Sequence, residues 1–429
     1  MPRVRTSRLN SSLLGVLGLG LGLLACACTP EAPPDIAAEA PVEPAESAGP
    51  APARRGLWVL CQGSQRVLDD ATRVPRLIDD ALALGASDLF VQVYRAGRAW
   101  FDSSLADAEP WRSAVANSGG VDPLAELLTR AHAAGLRVHA WVNVLNLADN
   151  KRAPLVEALG RDAVLVDQAG RSLLDYPKLD VPQPDRRYYR LGTPGVWLDP
   201  AAPGVAARLA ETFAELLVRY PALDGLHLDY IRYPGVLPFA PGSRFGVGLD
   251  MGHGEATRAR FEAETGLEAP RPPDRLGHAN RWDAWRRDQV TQLVQRVGDA
   301  AQLARPGVAL SAAVWAHADR AYLSIGQDWR RWLDESLLEF AVPMAYTLDS
   351  RIFRYQAEAF AATPQGPRTW IGVGAWLFAR RPAGAVEQLE IAEAVGAAGV
   401  ALFSWDAIAD SPELARALGV PPATDADAD

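Results

Sequence analysis

A (β/α)8 TIM barrel with insertions after its third and fourth strands is the fold this sequence predicts. Three observations predict it. Eight short apolar runs with strand character alternate with helix-length amphipathic segments across residues 55–420. That block is too long for one small domain and suits a barrel carrying extra loops. The first run leads into Gln62-Gly63-Ser64-Gln65, which is not the Gly-rich phosphate loop that an open doubly wound sheet commonly carries there.

The elements follow in order. Gly56–Cys61 reads as strand one. Val74, Leu77, Ile78, Ala81 and Leu82 then recur at helical spacing, with Gly85 as a stop. Asp88–Tyr94 is strand two. Asp122 caps the next helix, Pro123 takes its first position, and Gly135 ends it. Leu136–Val142 is strand three. An irregular stretch from about Asn146 to Pro200 precedes a helix from Pro203 to Tyr220. Asp224–Tyr230 is strand four, and a second long connection runs from Arg232 to about Ala279. A helix containing Trp285, Val290, Leu293, Val294 and Val297 follows. The remaining strands are Val308–Trp315, Phe340–Tyr346, Trp370–Trp376 and Gly399–Trp405. Both long connections leave the C-terminal ends of strands, the face on which barrels of this kind build their sites.

The N-terminal segment reads as an export signal, residues 1–26. Arg3, Arg5 and Arg8 precede an apolar run from Leu13 to Leu24, too short to span a bilayer comfortably. Leu23-Leu24-Ala25-Cys26 resembles a bacterial lipobox, which makes Cys26 the expected lipidation site and a membrane the expected partner. The alternative is ordinary signal cleavage nearby, with Cys26 and Cys28 as bystanders. Acylation would anchor the chain in the cell envelope, on the periplasmic side or in an outer membrane if the host has one. Residues 27–54, rich in Ala, Pro and Glu, read as a disordered spacer, and residues 421–429 as a disordered tail. Cys61 is then the one cysteine of the folded block, a buried hydrophobe rather than a nucleophile. A formal net charge of -9 argues against nucleic acid, which needs a basic footprint.

The stretch richest in chemistry is Asp224-Gly225-Leu226-His227-Leu228-Asp229-Tyr230-Ile231-Arg232-Tyr233-Pro234. Strand alternation places Leu226, Leu228 and Tyr230 on one face and Gly225, His227 and Asp229 on the other. Asp229 therefore points to the barrel axis at the C-terminal end of the strand. A carboxylate there is costly to desolvate unless it is paired or working. His227, two residues deeper, reads as a satisfied core histidine before a metal ligand. Asp224 and Gly225 read as structural. With six His in the chain and no second cluster at a strand end, no metal or other cofactor is expected.

This run resembles the signature of the glycosyl-hydrolase-like family 10 proteins, (β/α)8 barrels of bacterial envelopes that include peptidoglycan glycan-strand hydrolases. Arg55-Gly56-Leu57-Trp58, His139-Ala140-Trp141-Val142-Asn143, Trp197-Leu198-Asp199-Pro200, Trp285-Arg286-Arg287, Gln327-Asp328-Trp329 and Pro343-Met344-Ala345-Tyr346 agree in order. The resemblance covers roughly residues 54–408 and implies glycoside hydrolysis of an envelope or extracellular polysaccharide.

Such hydrolysis generally uses two carboxyl groups. Asp229 is the first expected catalytic residue. Asp319, past strand five, is the first choice for the second, with Asp328 and Asp349 as rivals. Residues near strand ends supply the expected polysaccharide contacts: Tyr94, Trp141, Asn143, Tyr230, Arg232, His317, Tyr346 and Trp376, with Trp405 nearby. Arg232 has two readings, holding Asp229 ionised or binding an acidic sugar substituent. Two other classes remain open from the sequence, a non-catalytic carbohydrate-binding barrel and a metal-dependent polysaccharide deacetylase.

Overall fold

The computed structural model describes residues 54–238, 249–271 and 278–421. The expected export signal with Cys26, nearly all of the expected spacer, and the expected tail from residue 422 lie outside them. No helix among the described residues is long and apolar enough to cross a membrane.

Eight parallel strands close into a barrel: β1 (Arg54–Val59), β2 (Asp88–Arg95), β3 (Arg137–Asn143), β4 (Gly225–Asp229), β5 (Ala309–Trp315), β6 (Phe340–Met344), β7 (Ile371–Gly374) and β8 (Gly399–Phe403). Each pairs with its sequence neighbours, and β1 closes the ring by pairing with both β2 and β8. The helices form the outer layer. Asp122 caps the helix Pro123–Ala133 as its sequence context predicts, its carboxylate accepting from the N–H groups of Leu124 and Ala125.

Alternation along the strands divides the core in two. Leu57, Val59, Leu89, Val91, Val138, Ala140, Leu226 and Leu228 face the helices. Trp58, Phe90, Trp141, Ala313, Phe340, Val342, Trp370 and Ala401 fill the barrel axis. Phe340 and Trp370 stack there with centroids 4.5 Å apart. His227 belongs to this interior: Trp58 Nε1 donates to its Nε2 at 3.2 Å, and its Nδ1 lies 2.8 Å from Ser311 Oγ. Both ring nitrogens are engaged, as the core reading of that histidine requires.

The closed end of the barrel is tied by charge. Asp88, fully buried at the start of β2, accepts from Ser87 Oγ at 2.6 Å, from Arg137 Nη2 at 3.1 Å and from Arg54, and its Oδ1 lies 2.9 Å from His139 Nε2. Gly225 faces this cluster. A Cβ built on it would stand 2.0 Å from His139 Nδ1. Gly225→Ala is therefore expected to cost about 1–3 kcal/mol by overpacking, read as a lowered urea midpoint at unchanged slope; an unshifted midpoint would show that the ring moves aside freely.

Five strands end earlier than the apolar runs predict, β1, β4, β6, β7 and β8, and two of these ends move an expected tryptophan. β7 stops at Gly374, and Trp376 lies in the 3-10 turn Ala375–Phe378. β8 stops at Phe403. Ser404 then caps a helix, Trp405–Ala409, accepting from Ala407 N–H. Trp405 is thereby withdrawn from the expected sugar floor: its indole donates to Asp80 Oδ2 at 2.8 Å and only 1% of it is exposed.

The chain between β3 and the helix Val205–Arg219 folds as short helices and turns. Its three-residue strand Tyr189–Leu191 pairs antiparallel with Val236–Pro238, which follows β4. Main-chain hydrogen bonds thus join the two connections flanking the open end of the barrel.

Candidate active site

Asp229 is the last residue of β4 and lies in register with Asn143 of β3. One carboxylate oxygen accepts from Trp141 Nε1 at 3.2 Å, and the other from the N–H of Tyr230 at 2.6 Å. That second bond requires an abrupt turn. Tyr230 has a φ of 52°, a left-handed conformation unusual for a bulky residue and typical of constrained functional turns. Burial pushes the Asp229 carboxyl above its ordinary range, opposed by the Arg232 charge and by the two hydrogen bonds.

Asp229 opens into a cavity of about 420 Å³. Trp141, Asn143, Tyr230, Arg232, Tyr346 and Trp376 line it with Asp229, so the structure brings together these seven of the residues singled out in the sequence. Tyr346 stacks on Phe403, centroids 5.8 Å apart, and Trp376 is half exposed at the rim. Burial holds the Tyr346 phenol well above its usual range, followed by the effect of the Asp229 charge. It therefore stays a hydrogen-bond donor.

A relay of amides sets the opposite wall. The buried Cys61 thiol donates to Gln92 Oε1 at 3.2 Å, and Gln92 Nε2 donates to Asn143 Oδ1 at 3.2 Å. The Asn143 oxygen is thereby occupied, which leaves its NH2 group for a hydroxyl or carbonyl in the cavity. Burial pushes the Cys61 thiol far above its normal pKa, in keeping with a structural role.

Three expected residues stand elsewhere. Tyr94 faces the helix layer, packing edge-on against Phe213 at 5.3 Å. The reason is a β-bulge. Gln92 pairs with Trp141 while Tyr94 pairs with the next residue, Val142, so Val93 is an extra residue that reverses the alternation. The bulge carries Arg95, not Tyr94, into the cavity wall. Asp319 lies exposed in the first turn of the helix Ala318–Ile325, outside the cavity lining. His317, just before that helix, is exposed as well, 3.4 Å from Gln356 Nε2. The chain leaves β5 into this helix at once, which carries both side chains outward.

The rivals for a second carboxyl are also placed. Asp349 caps the helix Ser350–Ala361 and pairs with Arg351 at 2.7 Å. Asp328 precedes the helix Trp329–Asp334 and does not line the cavity. Asp224, at the far end of β4, accepts from Val138 N–H at 2.8 Å, a structural role. Among the described lining residues, Asp229 is the sole carboxyl. No group of three or more His, Cys, Asp or Glu able to hold a metal occurs among the described residues.

Sequence reasoning missed Gln92, Arg95, Asn146 and Thr193, all on the cavity wall. Gln92 had a signal, being the one amide inside the apolar run Asp88–Tyr94. Asn146 and Thr193 come from the irregular connection, where no periodicity assigns a direction.

A closed parallel barrel, with a buried carboxyl at the C-terminal end of β4 and aromatic rings around it, is the architecture of the barrel glycoside hydrolases. Residues 53–372 match the family Glycosyl hydrolase-like 10, and the chain belongs to that family. Relatives include the glycosyl hydrolase DigH of Escherichia coli (strain K12), 25% identical over 83% of this chain and 81% of that protein. Glycosyl hydrolase YngK of Bacillus subtilis (strain 168) is 23% identical over 69% of this chain and 51% of its own length. Among solved structures, the PgaB (BpsB) glycoside hydrolase domain from Bordetella bronchiseptica superposes with a TM-score of 0.58 at 18% identity, covering 86% of this chain and 98% of that one. The catalytic domain of beta-amylase from Paenibacillus polymyxa gives 0.52 at 13% identity, covering 86% and 94%. These two likenesses concern the fold.

Proposed function

We propose that this protein hydrolyses a β-linked amino-sugar polysaccharide, the glycan strands of peptidoglycan in particular, with Asp229 as proton donor. The observation that carries this reading is the Asp229 carboxyl, buried by rings and raised in pKa, at the end of β4. Burial keeps a proton available there at the moment the glycosidic oxygen departs. Kinship to proteins named glycosyl hydrolases supports the reaction class.

The second role falls to the substrate. With one carboxyl among the described lining residues, we infer that the acetamido carbonyl oxygen of the sugar attacks its own anomeric carbon, as in substrate-assisted glycosidases. The C1–O bond breaks as Asp229 protonates the leaving oxygen. Water then opens the cyclic intermediate at C1, returning a proton to Asp229 and restoring the acetamide. This sequence retains the anomeric configuration. Proton NMR of the first-formed reducing sugar is expected to show the β anomer, and fully de-N-acetylated strands are expected to release no reducing ends. An α product would overturn the substrate's role while leaving hydrolysis standing.

The single carboxyl also favours a second reading, a carbohydrate-binding barrel without turnover. Incubating residues 54–429 with stem-stripped strands decides between them: new reducing ends support hydrolysis, and binding with no product in any glycan supports the binding barrel. We further propose attachment to the cell envelope through a lipid on Cys26. Radiolabelled palmitate entering the wild-type chain and not Cys26→Ser tests it.

A further inference from the structure

We infer that a second cavity, outside the barrel, is a carbohydrate-binding site that takes an uncharged sugar through its hydroxyl groups. The inference rests on the carbohydrate reading above and adds a place where a glycan is held without being cut.

Consecutive residues after β4 serve two different cavities. Arg232 lines the one at the barrel mouth, while Tyr233 and Pro234 line another of about 570 Å³, and no described residue lines both. The second lies between this connection and the helices Ala279–Ala304 and Ala318–Ile325. Four buried polar atoms of its lining residues have no hydrogen-bond partner: Tyr233 Oη, His253 Nδ1, Trp282 Nε1 and Arg286 Nε. Tyr233, His253 and Trp282 are 5%, 6% and 2% exposed. The four groups sit together. The Arg286 guanidinium carbon lies 5.4 Å from the Tyr233 ring centroid and 5.7 Å from that of Trp282, and the His253 and Trp282 rings are 5.5 Å apart. A buried donor or acceptor left unmatched is costly, and such groups are ordinarily paired. Their gathering at one cavity points to a polar ligand.

The character of the walls names its class. Arg286 pairs with Asp250 at 3.0 Å and with Asp283 at 2.7 Å, so its charge is already met and these carboxylates oppose an anion. Arg271 and Arg320 line the cavity from exposed positions, where solvent screens them. His253 Nε2 lies 2.9 Å from Asp250 Oδ2. That nitrogen therefore carries the hydrogen, which leaves Nδ1 an acceptor in the neutral ring. Burial holds the Tyr233 phenol well above its usual range, so it keeps its proton. The unmatched set is thus donors on Trp282, Arg286 and Tyr233 beside an acceptor on His253. A sugar hydroxyl donates and accepts at once, and neighbouring hydroxyls on one ring answer both kinds of group. Leu249, Met251 and Val236 supply apolar wall for the C–H faces of the ring. At the rim, the Arg287 guanidinium carbon lies 3.6 Å from the Tyr322 ring centroid, and its Nε donates to the Tyr322 carbonyl at 2.9 Å. This holds a partly exposed aromatic ring where a chain of sugars would leave.

The test is a titration of the Asp229→Asn chain with chitotetraose, an uncharged amino-sugar probe, followed by the indole N–H resonances of isotope-labelled tryptophan. Trp141 reports on the barrel cavity and Trp282 on the second; Trp141→Phe and Trp282→Phe identify the two signals. Both are expected to shift, with separate midpoints. Tyr233→Phe keeps the ring and its packing, and a thermal melt verifies its fold. It should weaken binding at Trp282 by about three- to tenfold, the worth of one neutral hydrogen bond, and leave the Trp141 midpoint in place. A Trp282 signal that stays still, two midpoints that move together, or a Tyr233→Phe chain that binds as tightly as its parent would overturn the inference. So would inorganic phosphate shifting Trp282 where the sugar does not. Release of reducing ends by the wild-type chain decides the hydrolase reading separately. Cleavage with a silent Trp282 removes this site alone, and a responsive Trp282 without cleavage removes hydrolysis alone.

Discussion

Asp229→Asn is expected to lower the hydrolysis rate by about 10²–10⁴-fold, the usual contribution of a positioned general acid. Asparagine keeps the volume and polarity of the side chain but has no proton to give. The loss should therefore fall on kcat, with KM little changed. A variant that retains most of its kcat on the same strands would remove Asp229 from the chemistry. The pH profile adds a second check. Burial raises the Asp229 pKa, and the Arg232 charge partly restrains that rise. An acid must be protonated to act, so activity is lost as pH climbs through this value, and the alkaline limb lies above pH 3.8, the value of an unperturbed Asp. Arg95, Tyr230 and Tyr346 also line the cavity. Replacing Arg232 by Gln removes a nearby positive charge and should move the limb further up. A limb that moves down, or stays, would show that Asp229 is not the group titrating.

The next largest effect is on stability. Asp88→Ala is expected to destabilise the barrel by about 3 kcal/mol, the lower end for breaking a buried charged cluster, because Arg54 and Arg137 keep partial solvent exposure. His139 does not: it is buried beside Asp88 and would lose the acceptor at its Nε2. Desolvation alone would raise the Asp88 pKa. Hydrogen bonds from His139, Arg54 and Ser87, with the nearby charge of His139, outweigh it and bring the carboxyl to about 2. The folded value thus lies below the unfolded value near 3.8, so the stabilisation is present above pH 3.8 and is lost as pH falls through about 2. Urea midpoints followed from pH 6 to pH 2 should fall across that window for the wild type and be flatter there for Asp88→Ala. Parallel curves would assign the acid sensitivity to other carboxylates.

The barrel was legible because it is written in a repeated pattern. Each strand is an apolar run flanked by helix signals, and the Asp122–Pro123 cap stands in the structure as its residues dictate. Asp229 and His227 were legible because β4 alternates without interruption, so parity alone sends both inward. The same rule failed on β2, where an extra residue at Val93 inverts parity beyond Gln92, and nothing local in Val-Gln-Val-Tyr announces it. It failed again at Asp319, because direction after a strand end is set by the turn into the next helix. Trp405 shows a third limit. Its apolar run continues past Phe403 in sequence, while the backbone has already entered a helix.

The bulge at Val93 has a meaning on the scale of descent. Deleting that one codon would restore uninterrupted pairing between β2 and β3 and, with Gln92 still inward, would keep Tyr94 toward the helices and Arg95 toward the cavity. The arginine of the cavity wall would survive that single heritable step. A lineage carrying this barrel can therefore gain or lose one residue at this point of β2 without turning over the side chains on either side of it.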